Sequence, residues 1–310
     1  MVARASVSGN RRPRRRLRRH LEGWAFASPW VVGFVVFTAA PMLASAAMAF
    51  MSWDMLTPPR FVGLANFHTA LLGDPLVWLA LKVTTTYAIV AVPVNIVLGL
   101  ALAMLLNSGV RGLRAYRTAF FLPSVLSGVA VSLLWRWLFS NQFGLFNLLL
   151  SYLGISGPNW LGDGNWALPS LILMNVWAVG GGMVIYLAGL QSIPTDVYEA
   201  AEVDGAGWLP RLRHITIPLV TPVLFFQLVI GIIQALQVFT QPYVMTQGGP
   251  YNATLFYVLY LYQSAFQYFQ MGYASLLAWI LFFYILLLTL LVFRSGRSWV
   301  HYEGDTRGGK

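Results

Sequence analysis

The 310-residue chain has no cysteine, which excludes disulfides, thiolate nucleophiles and cysteine-held metals. Charge is scarce: Asp, Glu, Lys and Arg together make up 10% of the residues, against about 25% in a soluble domain. Acid is the rarer sign, with 10 carboxylates facing 20 basic side chains. The four histidines (His20, His68, His214 and His301) lie far apart with no i, i+4 pair, so no metal-ligand spacing is present. No G-x-x-x-x-G-K-[ST] occurs, and with it goes any P-loop for ATP in this chain. No nucleophile–base pair is visible, which argues against an intramembrane enzyme.

What the chain does have is apolar length. Hydrophobic residues are 58% of it, in runs such as "LLAWILFFYILLLTLLVF" at 276–293. Such runs are long enough to cross a bilayer, which takes about 20 residues. They do not alternate apolar with polar, as a transmembrane barrel strand does. The reading is an all-α polytopic membrane protein with about six transmembrane helices, near 24–50, 81–106, 116–140, 168–190, 215–244 and 271–293. Prolines 29, 41, 93, 123, 169, 218 and 222 fall within or at the start of these spans, and each frees a backbone carbonyl and favours a kink. Such kinks persist only where neighbouring helices or water satisfy the freed groups.

The chain divides into a basic tail (1–20), a membrane domain (21–295) and a C-terminal tail (296–310). The first tail carries "RRPRRRLRRH", whose mutual repulsion predicts disorder. Beside a span, that cluster reads as a contact with anionic lipid headgroups rather than with nucleic acid. Seventeen of the 20 Lys and Arg fall on one side of the six-span arrangement, leaving Arg60, Lys82 and Arg136 for the other. The positive-inside rule then puts both termini in the cytoplasm. A rival reading of the first span is a signal peptide with its small-residue cleavage site inside "ASAAMA" (44–49), but its apolar run exceeds the usual length of about 7–15 residues. In the outer loops, Trp160 and Trp166 have the look of interfacial anchors, and 246–272 predicts a Gly-Gly-Pro turn followed by a short aromatic helix, at the interface or dipping inward. Arg136, near the outer end of span three, reads either as a snorkelling side chain or as a group that meets a substrate phosphate.

Between spans four and five lies a charged segment, "DVYEAAEVDGAGWLPRLRHITIP" (196–218), inside a loop at 191–214. Asp196 predicts a helix start, with Glu199 completing a capping box. Gly205 predicts a left-handed stop. The helix then covers about 197–204, with Val197, Ala200, Ala201 and Asp204 near one face, made shallow by its alanines. Ordinary caps on a solvated loop explain these features equally well.

The order of residues adds something. Glu199-Ala200-Ala201, then Gly205, then Ile215-Thr216-Ile217-Pro218 resembles the cytoplasmic signature of permease subunits of bacterial ATP-binding-cassette importers, with Ile217 where Leu is usual. "LAGLQSIPTDVYEAAEVDGA" (187–206), 244–275 and "FVGLANF" (61–67) look like the carbohydrate-uptake branch, similar to maltose-type and glycerol-phosphate-type permeases. The resemblance covers roughly residues 20–295. It implies that the loop forms a coupling helix docking into a separate ATPase. Glu199 would be its polar contact, Ala200 and Ala201 the surface of close approach, Asp204 and Gly205 its end, and Ile215 and Pro218 the lead into the next span. It also implies partners: a second permease subunit, two ATPase subunits that bind ATP and Mg, and an extracytoplasmic solute-binding protein. No cofactor is expected in this chain.

Span five carries Gln227, Gln234, Gln237 and Gln241, which on a continuous helix fall within about an 80° arc. Amides are costly in hydrocarbon unless paired or wetted. Two roles fit equally: bonding between helices, or lining a sugar path, where neutral amides exchange hydrogen bonds with hydroxyls. Tyr243 and Trp177 offer stacking faces, and Asn175 with the glycines at 180–182 either widens the path or permits close packing. An ion-coupled secondary transporter would favour a buried Asp, Glu or His, and the spans hold essentially none. A permease for an amino acid or peptide is the remaining alternative.

Overall fold

The computed structural model describes residues 13–108 and 112–301. Helix α1 (Pro13–Phe34) passes through a π-helical turn, Val35–Ala39, into α2 (Ala40–Met48). A small antiparallel ribbon follows, β1 (Met51–Ser52) with β2 (Arg60–Phe61), then α3 (Ala65–His68). Helix α4 (Pro75–Asn107) crosses back, and α5 (Leu113–Val125) with α6 (Gly128–Leu138) returns. After α7 (Leu145–Tyr152) come α8 (Gly164–Trp177) and α9 (Gly180–Gln191), then the short α10 (Thr195–Val203). Helix α11 (Trp208–Arg211) runs through a π-helical turn into α12 (Ile217–Leu236), followed by α13 (Thr240–Met245), α14 (Tyr257–Tyr262) and α15 (Met271–Trp299). The end carrying α10 is called inner below, and the end carrying the ribbon outer.

Four stretches have the length and apolarity to cross a membrane: Gly23–Met48, Pro75–Asn107, Trp208–Met245, which is interrupted at 237–239, and Met271–Trp299. Two further crossings are broken: α5 and α6 meet at 97°, α8 and α9 at 47°. The architecture is an all-α polytopic membrane protein, but spans three and four are not the single rods that 116–140 and 168–190 predict. Nor does proline mark the breaks. Helix α4 runs unbroken through Pro93. The chain leaves the helix instead at Leu126 and Ser127, just before Gly128, and at Ala178, just before the glycine run. Close approach explains the second site: a Cβ at Gly180 would lie 1.7 Å from the Phe120 carbonyl oxygen of α5.

Several boundaries shift. Span two begins at Pro75 rather than 81, because the Asp74 carboxylate accepts the Leu76 N–H at 2.9 Å and Pro75 suits a first helical position. The last span runs on to Trp299, and beyond it the His301 N–H donates to the Thr221 hydroxyl at 2.9 Å, tying the stretch after α15 to α12. At the other terminus α1 starts at Pro13, within the basic segment; residues 1–12 lie outside the described residues.

Two buried clusters hold the bundle. The outer one joins α4, α14 and α15 through Tyr87, Tyr257, Leu259 and Leu277. The inner one joins α4, α9 and α12 through Leu106, Met183, Leu190 and Val220. Lipid tails are as apolar as these side chains, so close packing and hydrogen bonding, rather than escape from water, favour association within the bilayer. The short aromatic helix expected after the Gly-Gly-Pro turn is α14, and it packs inward: Tyr257 is fully buried, its N–H donating to Thr84 (2.8 Å) and its hydroxyl to the Leu277 carbonyl (3.1 Å). Asp74 draws the outer ends together by accepting the Tyr273 hydroxyl at 2.7 Å and that of Tyr260. Asn66, within "FVGLANF", donates to the Ala49 and Met51 carbonyls at 2.9 and 3.0 Å. Trp160 is no free anchor. It is half-buried against Phe139, Phe146 and Trp166, and its indole N–H donates to Asn147 at 2.7 Å.

Candidate functional site

The broken crossings converge on one cavity of about 800 Å3, bounded by α4, α5, α8, α9, α12 and α13. Gln227, Gln234, Gln237 and Gln241 all line it, with Asn175. They do so in spite of a break the sequence does not announce. Helix α12 ends at Leu236, Gln237 caps it, and Gln241 stands on α13 beyond an irregular turn. The arc expected of a continuous helix is therefore not what gathers them; the turn re-aims Gln241 into the same space. Gly182 and Gly231 widen the interior by omission. A Cβ at Gly182 would meet Gln227 Nε2 at 3.0 Å, and one at Gly231 would meet Val92 at 3.1 Å.

Asn95 is the lining residue that sequence reasoning missed. It stands on α4, donates to the Ala91 carbonyl at 2.9 Å, and bonds the side chain of Asn175 on α8. A single Asn two residues after Pro93, in an otherwise apolar run, was the available signal. Tyr243 and Trp177 do not line the cavity. Tyr243 stacks on Phe239, with centroids 5.1 Å apart, and meets Tyr262 edge-on; Trp177 packs against Trp135. No acidic, basic or histidine side chain lines the cavity, and no metal-binding cluster occurs among the described residues. Neutral amides and hydroxyls both donate and accept, so such a lining exchanges hydrogen bonds with a polyhydroxylated solute without trapping a charge.

At the inner end, α10 starts at Thr195, earlier than the capping-box pattern predicts. Pro194 holds the N-cap position with no side-chain bond, and Asp196 sits in the first turn, where its charge favours the helix dipole. Glu199 is thereby exposed and free of capping duty. Asp204 is the C-cap. Gly205 adopts φ +73° and donates to the Glu202 carbonyl at 3.0 Å, while the Ala206 N–H bonds the Ala201 carbonyl at 2.9 Å. Those two bonds form a Schellman motif. Arg211 then closes the loop, its Nε donating to the Ala206 carbonyl at 2.7 Å and its Nη1 lying 3.5 Å from Glu202.

Ala200 is exposed and Ala201 half-buried, with Val197 exposed beside them. Ile215 and Pro218 are half-buried where the π-helical turn enters α12. The loop's tie to the bundle is Tyr198. Its ring packs on the inner cluster, and its hydroxyl lies 3.0 Å from that of Thr216. A short helix anchored on one side and bare on the other can receive a force and pass it to α9 and α12.

The family described as "Binding-protein-dependent transport system inner membrane component" matches residues 95–298. The chain is 45% identical over 288 residues to the probable ABC transporter permease protein YesP of Bacillus subtilis (strain 168), across 92% of this chain and 93% of that one. It is 33% identical over 280 residues to the trehalose/maltose transport system permease protein MalF of Thermococcus litoralis, across 89% and 93%. Among solved structures, the fold matches a chain of a bacterial ABC transporter involved in the import of the acidic polysaccharide alginate, with TM-score 0.81 and 25% identity over 92% of this chain and 98% of that one.

Proposed function

Because the chain belongs to the family of binding-protein-dependent transport system inner membrane components, we propose that it is a permease subunit that carries a sugar inward, driven by ATP hydrolysed on partner subunits. The observation that carries the sugar reading is the amide-lined, charge-free cavity at the meeting of the broken spans. Relatives named for trehalose and maltose support the same solute class.

In this reading α10 is the coupling helix. Ala200 and Ala201 let an ATPase surface come close, Glu199 offers it a polar contact, and Tyr198 hands its movement to the inner ends of α9 and α12. The breaks at 126–127, 178–179 and 237–239 are the joints at which the cavity changes the side it opens to. A second permease subunit completes the cavity, two ATPase subunits hold ATP and Mg, and a solute-binding protein delivers the sugar from outside. Both termini face the cytoplasm.

The test is uptake into proteoliposomes holding the assembled importer with its binding protein. ATP enclosed in the vesicles on the ATPase side, with binding protein and sugar outside, should drive sugar accumulation, and the Gln234→Leu plus Gln237→Leu double variant should raise the half-saturating concentration or lower the rate at least about tenfold. Accumulation driven by an ion gradient without ATP contradicts the reading. Uptake of an amino acid or peptide in place of any sugar contradicts the solute class.

A further inference from the structure

Beyond α13, on the outer side, lies a second concavity of about 580 Å3, lined in part by Arg136, Trp137, Asn141, Phe143 and Asn159. Its size falls within the usual range of small-ligand sites, about 300–1,000 Å3. Helix α13 is the wall between the two spaces: Gln241 faces the inner cavity, Met245 the outer one. Arg136 spans that wall from α6, its Nη1 3.4 Å from the Val244 carbonyl.

The hydrogen bonds around this pocket fix which way its amides point. The Trp160 indole donates to Asn147 Oδ1 at 2.7 Å, so Asn147 Nδ2 is a donor, and it donates to Asn141 Oδ1 at 3.1 Å. Asn159 Oδ1 accepts the Gly162 N–H at 3.1 Å. Both amide oxygens are thus engaged within the loop, and no acceptor among the described residues takes either NH2 group. No carboxylate among the described residues pairs with Arg136; Asp163, the acid nearest in sequence, caps α8 through the Asn165 N–H at 2.9 Å and does not line the pocket. The pocket therefore presents a guanidinium and two amide NH2 groups, flanked by the exposed rings of Trp137 and Phe143. A surface of donors suits a group that only accepts, and an ionised carboxylate is that group. Aromatic rings beside it suit the flat face of a sugar.

We propose that this pocket is an entry subsite for the carboxylate of an acidic sugar, held by Arg136, Asn141 and Asn159 before the sugar passes α13 into the amide cavity. The proposal rests on the permease reading and adds to it a solute chemistry and a waiting position. A carboxylate on a docking binding protein shares the chemistry, and the experiment separates the two.

The assembled importer in lipid nanodiscs, without binding protein, is titrated with digalacturonate and with its neutral, carboxyl-reduced counterpart. The wild type should bind the acid about tenfold or more tightly. Arg136→Gln removes the charge with little change of size. Asn141→Asp keeps an oxygen for Asn147 but replaces the free NH2 with an anionic oxygen. Each should weaken binding of the acid far more than binding of the neutral sugar and so erase the preference. No preference in the wild type, or a preference that survives both variants, overturns the proposal. It is equally overturned if Arg136→Gln abolishes stimulation of the ATPase by sugar-free binding protein, which assigns the carboxylate to that protein. Failure of ATP-driven uptake would sink the permease reading, but the titration does not depend on uptake and is read separately.

Discussion

Gly205 carries the turn that ends the proposed coupling helix, and its requirement is purely conformational. A Cβ there would meet nothing within 4 Å, while the backbone sits at φ +73°. An L side chain in that region costs roughly 1–2 kcal/mol, and a β-branched one more. Gly205→Val should therefore insert and fold in the membrane yet lose most ATP-driven uptake, whereas Gly205→Asn, which tolerates the left-handed region, should keep most of it. The check is uptake normalised to membrane-inserted protein, and normal uptake by the valine variant contradicts the role given to this turn. Glycine followed by a break was legible in the sequence. The helix start was not, because Asp196 and Glu199 fit a capping box whose N-cap lies two residues beyond Pro194, the one the chain adopts. Pro194 won that competition by supplying an extended backbone at the cap.

At the scale of elements, glycine shapes this bundle more than proline does. Proline in a span costs a hydrogen bond that neighbours can restore, and α4 passes Pro93 without breaking. Gly180 offers no such latitude, since its missing Cβ is the space that the Phe120 carbonyl occupies. Gly180→Ala should force α9 away from α5, at an overpacking cost of roughly 1–3 kcal/mol. Its thermal unfolding midpoint in detergent should fall clearly. Gly182→Ala is the control, because its new methyl meets the flexible end of Gln227 at 3.0 Å and touches the Tyr186 ring at 3.4 Å, with no backbone in the way, and should shift the midpoint little. Equal midpoints for the two variants would contradict this account of the break. That the chain is built of long apolar helices was legible from apolar length alone. The breaks at 126–127 and 237–239 were not, because they depend on contacts between distant helices. For the same reason Asn95 went unseen, as did the packing of Tyr243 on Phe239 and of Trp177 against Trp135.

In the molecule as a whole, two regions stand apart: a charge-free cavity in the middle of the bundle and, at its inner end, the helix that exposes Ala200. The inner cluster of Leu106, Met183, Leu190 and Val220, with Tyr198 on its rim, is the physical link between them. The central claim is that Ala200 meets an ATPase subunit. Because the chain has no cysteine of its own, an Ala200→Cys variant carries a single thiol. Labelling that thiol with a water-soluble maleimide, in the permease alone and in the complete importer, is the direct measurement. Ready labelling alone and strong protection when the ATPase subunits are bound is the predicted result. Labelling at the same rate in both would contradict it.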